Sequence, residues 1–243
     1  MSEIQLIKNG IRLDGRKPEE LRKIKIIAGP IKNAKGSAYI EWGNNKIIAA
    51  VYGPKEVIPM HEADPTKAII KCRYSMAPFS SKEEHGKYGQ NRRSIEISKV
   101  IKHIFEEIVF VEKFPGSEID IYIEVLQGDG GTRVASITAA GVAMAISGIP
   151  MREIPVAIGM GKINGTIVVD LNKIEDNYSD SDVPIAFNRK NEFLLLQADG
   201  LLTKEEFNKI CELAVNTSKV VRKEQIAAIK EFYKIIGEKD GST

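Results

Sequence analysis

Apolar and polar positions change period several times along the chain, and each change marks an element. Two apolar, β-rich runs, Ser37 to Trp42 and Lys46 to Tyr52, flank Gly43-Asn44-Asn45, which predicts a hairpin. A second pair, Val156 to Ile163 and Thr166 to Leu171, flanks Asn164-Gly165, the dipeptide that supplies the positive φ angles of a two-residue turn. Between them, Ile119, Ile121, Ile123 and Val125 alternate with Asp120, Tyr122 and Glu124, the pattern of a strand with one buried face. Helical spacing relates Ile97, Val100, Ile101, Ile104, Phe105 and Ile108. Thr132 to Ser147 is Ala-rich and apolar all round, as a central buried helix is. Thr203-Lys-Glu-Glu206 is a capping box that opens an amphipathic C-terminal helix with Phe207, Ile210, Cys211 and Ala214 on one face. Each half therefore reads as strand pair, further strand, helix. Two such halves, roughly 1–150 and 151–243, fit one α+β domain better than two separate ones.

Composition narrows the chemistry. Lys plus Arg total 35 against 33 Asp plus Glu in 243 residues, a net charge of +2. Any nucleic-acid site must then come from local clustering rather than bulk charge. Cys72 and Cys211 lie far apart and there are three histidines, so no Cys/His zinc spacing exists. The longest uncharged run, Val134 to Met151, is interrupted by Gly141, Gly148 and Pro150 and is too short to span a bilayer. The first residues lack the apolar stretch of a signal peptide. Unpaired cysteines agree with a reducing compartment, and a soluble cytoplasmic protein is expected.

Three clusters could carry chemistry. Gln127-Gly-Asp-Gly-Gly-Thr-Arg133 joins the predicted strand to the buried helix. Glycines there allow close backbone approach, the helix's first N–H groups form an anion site with Thr132 as N-cap, and Arg133 adds a fork suited to phosphate. The plainer alternative is a tight turn with a surface arginine. The third glycine of a dinucleotide fingerprint is replaced by Arg133, and Gly159-Met-Gly161-Lys162 lacks the residues of a P-loop. Arg92-Arg93 opens the Ile97–Ile108 helix, where cations oppose the helix dipole, so they either serve an anion or are solvated at a frayed end. The acidic run Glu175 to Asp182 holds Mg²⁺ or supplies an acid near phosphate, or else is a solvated loop. Arg73, His61, Lys67 and the scattered His85 and His103 are weaker signals, and Tyr74 and Phe79 read as core, with stacking on a base as the alternative.

Taken in order, Arg12-Leu-Asp-Gly-Arg16, Gly36 to Glu41, Ala50 to Pro54, Met76-Ala-Pro-Phe-Ser80, Arg92-Arg93, Glu124 to Gln127, Gly130-Gly-Thr-Arg133 and the Asp176/Asp182 pair resemble the RNase PH family of phosphorolytic 3′→5′ exoribonucleases, over nearly the whole chain. The Met-Ala-Pro-Phe-Ser string and paired arginines resemble most the catalytic RNase PH-like subunits of archaeal exosomes. The resemblance implies an RNase PH-like fold of duplicated β-α units, ribosomal protein S5 domain 2-like, with sheets backed by helices. It further implies a six-subunit ring in which active subunits alternate with an inactive RNase PH-like paralogue as a trimer of dimers. RNA-binding cap proteins would sit on top, and the single-stranded RNA 3′ end would be the substrate. Carried over, Gly131, Thr132 and Arg133 would bind the co-substrate inorganic phosphate. Arg92 and Arg93 would grip RNA phosphates and Arg73 the RNA backbone, with Lys67 and His61 on a pore-narrowing loop. Asp182, supported by Asp176, would be the acid or would hold Mg²⁺. The segment Ser81 to Gln90 departs from the Arg-richer loop of relatives. Alternative readings are a homohexameric RNase PH that trims tRNA 3′ ends, a non-catalytic RNA-binding ring subunit, and a metal-dependent hydrolase.

Overall fold

The structure is a computed structural model and describes residues 5–81 and 91–240. A short β1–β2 hairpin (Ile7–Lys8, Ile11–Arg12) leads to β3 (Ile24–Ala28), β4 (Gly36–Trp42) and β5 (Asn45–Glu56). Next come β6 (Ile69–Met76), α1 (Arg92–Ile108), β7 (Ser117–Gln127) and α2 (Thr132–Ile146). The second half holds β8 (Val156–Ile163), β9 (Thr166–Val169), α3 (Lys173–Tyr178), β10 (Ser181–Phe187), β11 (Phe193–Leu196), β12 (Asp199–Gly200) and α4 (Lys204–Asp240). One sheet runs β3-β4-β5-β7-β6, and the other runs β11-β10-β8-β9 with β12 also on β10. Among the described residues only β6 and β7 pair in parallel, and α1 makes the crossover that parallel neighbours require.

Both predicted hairpins form. Asn164 and Gly165 adopt φ of 46° and 73°, the left-handed pair of a tight two-residue turn. Helix α2 is apolar all round because it lies between the sheets, touching β4 and β5 on one side and β8 and β10 on the other. Its Ala135, Ala139, Ala140 and Ala143 are fully buried and let both sheets approach. The closest approach is at Gly36, where a Cβ would lie 2.1 Å from the Ala143 carbonyl oxygen. One continuous apolar cluster joins residues of both halves around α2. The expected capping box opens α4, with the Thr203 hydroxyl accepting from Glu206 N at 3.2 Å and the Glu206 carboxylate accepting from Thr203 N at 2.9 Å.

Two expectations need correction. On β7 the polar positions are not simply solvent-facing. Asp120 and its neighbour Glu118 are buried, because Lys55 bridges both at 2.6 and 3.1 Å and Lys71 adds a 2.6 Å bond to Glu118. Phe79, read as core, is 76% exposed, whereas Tyr74 is fully buried as expected.

The Gly36 contact is directly testable. Gly36→Ala is expected to lower unfolding free energy by about 1–3 kcal/mol through overpacking against α2, measured by chemical denaturation.

Candidate active site

The turn from β7 into α2 is held from behind. Arg22 donates to the carbonyls of Asp129 (2.5 Å) and Gly130 (3.2 Å), and Asn45 donates to the Gly130 carbonyl while accepting from Asp129 N, both at 2.6 Å. Gly130 and Gly131 take φ of 70° and 69°, and a Cβ on Gly130 would sit 2.5 Å from the Asn172 carbonyl carbon. Glycine is needed there on both counts. With these carbonyls engaged inside, the N–H groups of Thr132, Arg133 and Val134 are the donors of the first turn that have no acceptor within the helix. Gly131, not Thr132, is the N-cap, and the Thr132 hydroxyl instead accepts from the buried Tyr74 hydroxyl at 3.0 Å. The sequence expectation for Thr132 fails because the left-handed Gly131 already ends the turn, so Thr132 is the first helical residue.

Arg22 is itself fixed by Asp170, which is 1% exposed. Arg22 Nη2, Nε and backbone N reach its carboxylate at 2.6, 3.0 and 2.8 Å, and Trp42 Nε1 adds a bond at 2.9 Å. Burial alone would push the Asp170 pKa up, but these donors hold it below the ordinary carboxylate value. Beside it, Arg12 pairs with the buried Glu175 and donates to the carbonyls of Val169 and Asp170. Glu175 also closes a capping box with Asn172, which fixes the short helix α3. The acidic run is therefore not a solvated loop. Its first half is α3, with Glu175 turned into the ion network, and Asp182 lies on β10.

Asp176 and Asp182 share a cavity of about 760 Å³ with Gly131, Thr132, Arg133 and Arg93. Burial, then the Asp176 charge, raises the Asp182 pKa to about 6, against the opposing pull of Arg133 and Arg93, and Asp199 raises it further. Asp199 faces Asp182 across β10–β12, while Gly161 faces it on β8. Asp176 is also raised, by burial, with Arg93, Arg133 and Arg22 opposing. The cavity can thus bind anions at one end and offer a proton at the other.

Five of the nine sequence candidates meet here with Arg93 as the sixth, and three do not. Arg92 opens α1 beside Arg93, exposed but outside the cavity lining, at an end that Asn91 caps through Ser94 N rather than leaving frayed. Arg73 is exposed on β6, the edge strand. Lys67 is exposed before β6, about 30 Å of strand from the Met76 end that abuts Gly128. His61 lies in an exposed 3₁₀ turn, His103 is exposed on α1, and His85 with segment 82–90 lies outside the described residues. Sequence reasoning missed Glu96, Gln197 and Asp199, which also line the cavity. Glu96 had a signal, three residues beyond Arg93 on the same helical face. Gln197 and Asp199 had none. Among the described residues no cluster of three or more His, Cys, Asp or Glu is arranged for a metal, and no helix is long and apolar enough to cross a membrane.

Two family models match in succession, the first domain of the 3′ exoribonuclease family over residues 20–150 and the second over 153–217. The chain belongs to the RNase PH family of 3′ exoribonucleases. Among its relatives, the exosome complex component Rrp41 of Pyrococcus furiosus is 58% identical over 96% of this chain and 94% of that one. The same component from Thermoplasma volcanium is 49% identical over 99% and 97%. Rice (Oryza sativa) Rrp46 superposes with a TM-score of 0.80 at 26% identity, covering 90% of this chain and all of that one. A chain from an Archaeoglobus fulgidus exosome with RNA bound to the active site gives 0.78 at 24% identity, covering 89% and 93%. The fold is the mixed α+β RNase PH-like fold, as expected.

The raised Asp182 pKa makes a stability prediction. A carboxyl that holds its proton more tightly folded than unfolded makes stability fall as pH rises from about 4 to about 6. Asp182→Asn is therefore expected to stabilise the protein at pH 7.5 by up to about 3 kcal/mol and to leave it nearly unchanged at pH 4, read by thermal melts in chelator.

Proposed function

We propose that this chain is the phosphate-dependent 3′→5′ exoribonuclease subunit of an archaeal-type exosome. It shortens RNA to nucleoside 5′-diphosphates and, in reverse, adds untemplated 3′ tails. The observation that carries this reading is the meeting, in one cavity, of a helix N-terminus and two arginines with a carboxyl group whose pKa is raised to about 6. The 49–58% identity to proteins named as exosome components supports the assembly.

Inorganic phosphate would rest on the N–H groups of Thr132 and Arg133, at the turn kept open by Gly131, with the Arg133 side chain against it. Arg93, with Arg92 beside it, would hold the terminal phosphates of the RNA, and Arg73 and Lys67 would meet the strand farther out. A phosphate oxygen attacks the last phosphorus, the P–O3′ bond breaks, and the proton on Asp182 passes to the departing 3′-oxygen. Several phosphate charges crowd this step, and the fixed donors offset their repulsion. The phosphodiester bond broken and the phosphoanhydride bond formed are of comparable free energy, so the reaction runs both ways. Backbone contacts of this kind carry little sequence preference.

The donor set fits a hard cation. Asp176 and Asp182 are close enough for one charge to raise the other's pKa, and two carboxylates completed by substrate phosphates is a usual Mg²⁺ arrangement. Mg²⁺ held by Asp176 and Asp182, both then ionised, would neutralise charge on the phosphates, with Asp182 serving as ligand in place of the acid. In this reading the inactive paralogue completes a trimer-of-dimers ring, cap proteins deliver single-stranded RNA 3′ ends, and the work is done in the cytoplasm.

The test mixes unstructured RNA and Mg²⁺ with the chain, alone and with its paralogue, with and without phosphate, and identifies the nucleotides released. Diphosphates are expected only with phosphate and chiefly with the paralogue. Asp182→Asn is expected to slow release by at least about 100-fold while RNA binding stays within about threefold. Monophosphates formed without phosphate would contradict the reading and point to metal-dependent hydrolysis. Full activity without the paralogue would favour a homohexameric enzyme, and no release at all a non-catalytic ring subunit.

A further inference from the structure

Arg133 does not hang free in the cavity. Its Nη2 donates to Glu96 Oε2 at 3.1 Å and its Nη1 donates to Gln197 Oε1, while Gln197 Nε2 donates to Glu96 Oε1 at 3.0 Å. The three side chains close a ring, and each comes from a different element: Glu96 from α1, Arg133 from α2, and Gln197 from the link between β11 and β12. Gln197 is anchored in turn, its backbone N donating to the Pro184 carbonyl on β10 at 3.2 Å. All three line the cavity that holds Asp182.

Stability does not explain this arrangement. The Arg133 and Glu96 side chains are 20% and 44% exposed, and an ion pair that open to water adds little to folding. Nor does anion binding explain it directly, because a carboxylate at the rim of a phosphate site repels the ligand. What the ring does accomplish is to select one orientation of a long, flexible side chain before any ligand arrives. An arginine ordered in advance loses less freedom when it binds, so the ligand is held more tightly. Glu96 occupies the outer Nη2 edge and Gln197 part of Nη1. The remaining guanidinium donors are then left for a ligand at the first turn of α2.

We propose that Glu96 and Gln197 are positioning residues that orient Arg133 for inorganic phosphate, acting through Arg133 and not on the substrate. This role rests on the phosphate reading of Arg133 given above. It assigns Glu96 a purpose in geometry rather than in charge, which separates two substitutions. In Glu96→Gln the amide can still accept from Arg133 through its oxygen and donate to Gln197 through its nitrogen once the Gln197 contact reorganises. Glu96→Ala can do neither.

Calorimetric titration of inorganic phosphate into the full chain, without RNA, tests this separately from turnover. Glu96→Ala and Gln197→Ala are each expected to weaken phosphate binding about tenfold, and Glu96→Gln by less than about threefold, with melting temperatures unchanged. In phosphorolysis the same alanine variants should raise the KM for phosphate by a similar factor and leave kcat at saturating phosphate within about twofold. Phosphate affinity equal to the parent's in both alanine variants would overturn the role. So would a Glu96→Gln variant as weak as Glu96→Ala, which would assign the effect to charge. A parent chain that degrades RNA but binds no phosphate would overturn the phosphate reading itself, and this role with it.

Discussion

The pairing of Arg22 with Asp170 is the contact on which the site's architecture depends. Asp170 ends the β8–β9 hairpin in the second half, and Arg22 stands just before β3 in the first. Once paired, Arg22 still has donors for the Asp129 and Gly130 carbonyls, and the Asp170 carbonyl accepts from Arg12 and Arg16. Arg12 in turn holds Glu175 and so α3. The turn that presents N–H groups and the helix that carries Asp176 are therefore tied to the same few buried charges. Such a network is costly to desolvate, and removing one partner from a buried pair costs about 3–5 kcal/mol because the other charge is left stranded. Its value here is positional, since each charge fixes backbone from a different part of the chain.

That constraint explains the electrostatics of the cavity. Charges behind the cradle are paired within the network, whereas inside the cavity the carboxyls of Asp176 and Asp182 stand close to each other. Arg93 and Arg133 face Asp176, Asp182 and Asp199 across a space large enough for several phosphate groups. Asp176 and Asp182 are crowded and half-buried, and burial with the neighbouring Asp176 charge raises the Asp182 pKa to about 6. The arginines are near enough to moderate that shift but not to abolish it. Holding a titratable group half-buried beside a like charge costs local stability.

How much of this could be read from the sequence depended on whether the signal was local. Asn164-Gly165 fixes its hairpin through backbone conformation alone, and the apolar run of α2 can only be a buried helix, so both were legible. The strand-to-helix glycines were legible as a turn because adjacent residues set its backbone conformation. Helix α3 was not read, although Asn172 and Glu175 carry a local capping-box signal, and the partner that ties it into the fold, Arg12, lies 163 residues from Glu175. Thr132 looked like a cap by residue type, but the cap position was decided by the left-handed Gly131 beside it. Asp170 and Arg22 carry no motif and matter only through each other. Asp199 and Gln197 reach the cavity through the register of β10 with its neighbours, which no local pattern encodes.

The most direct measurement of the central claim is amide hydrogen exchange on Asp170→Asn, compared with the parent. If one buried pair positions both parts of the site, exchange should quicken together in the turn 127–133 and in α3, about 40 residues apart in sequence, while α1 keeps its protection. Faster exchange confined to the β9–α3 junction, with the turn as protected as before, would contradict it and leave the cradle and the carboxylates as independently built features.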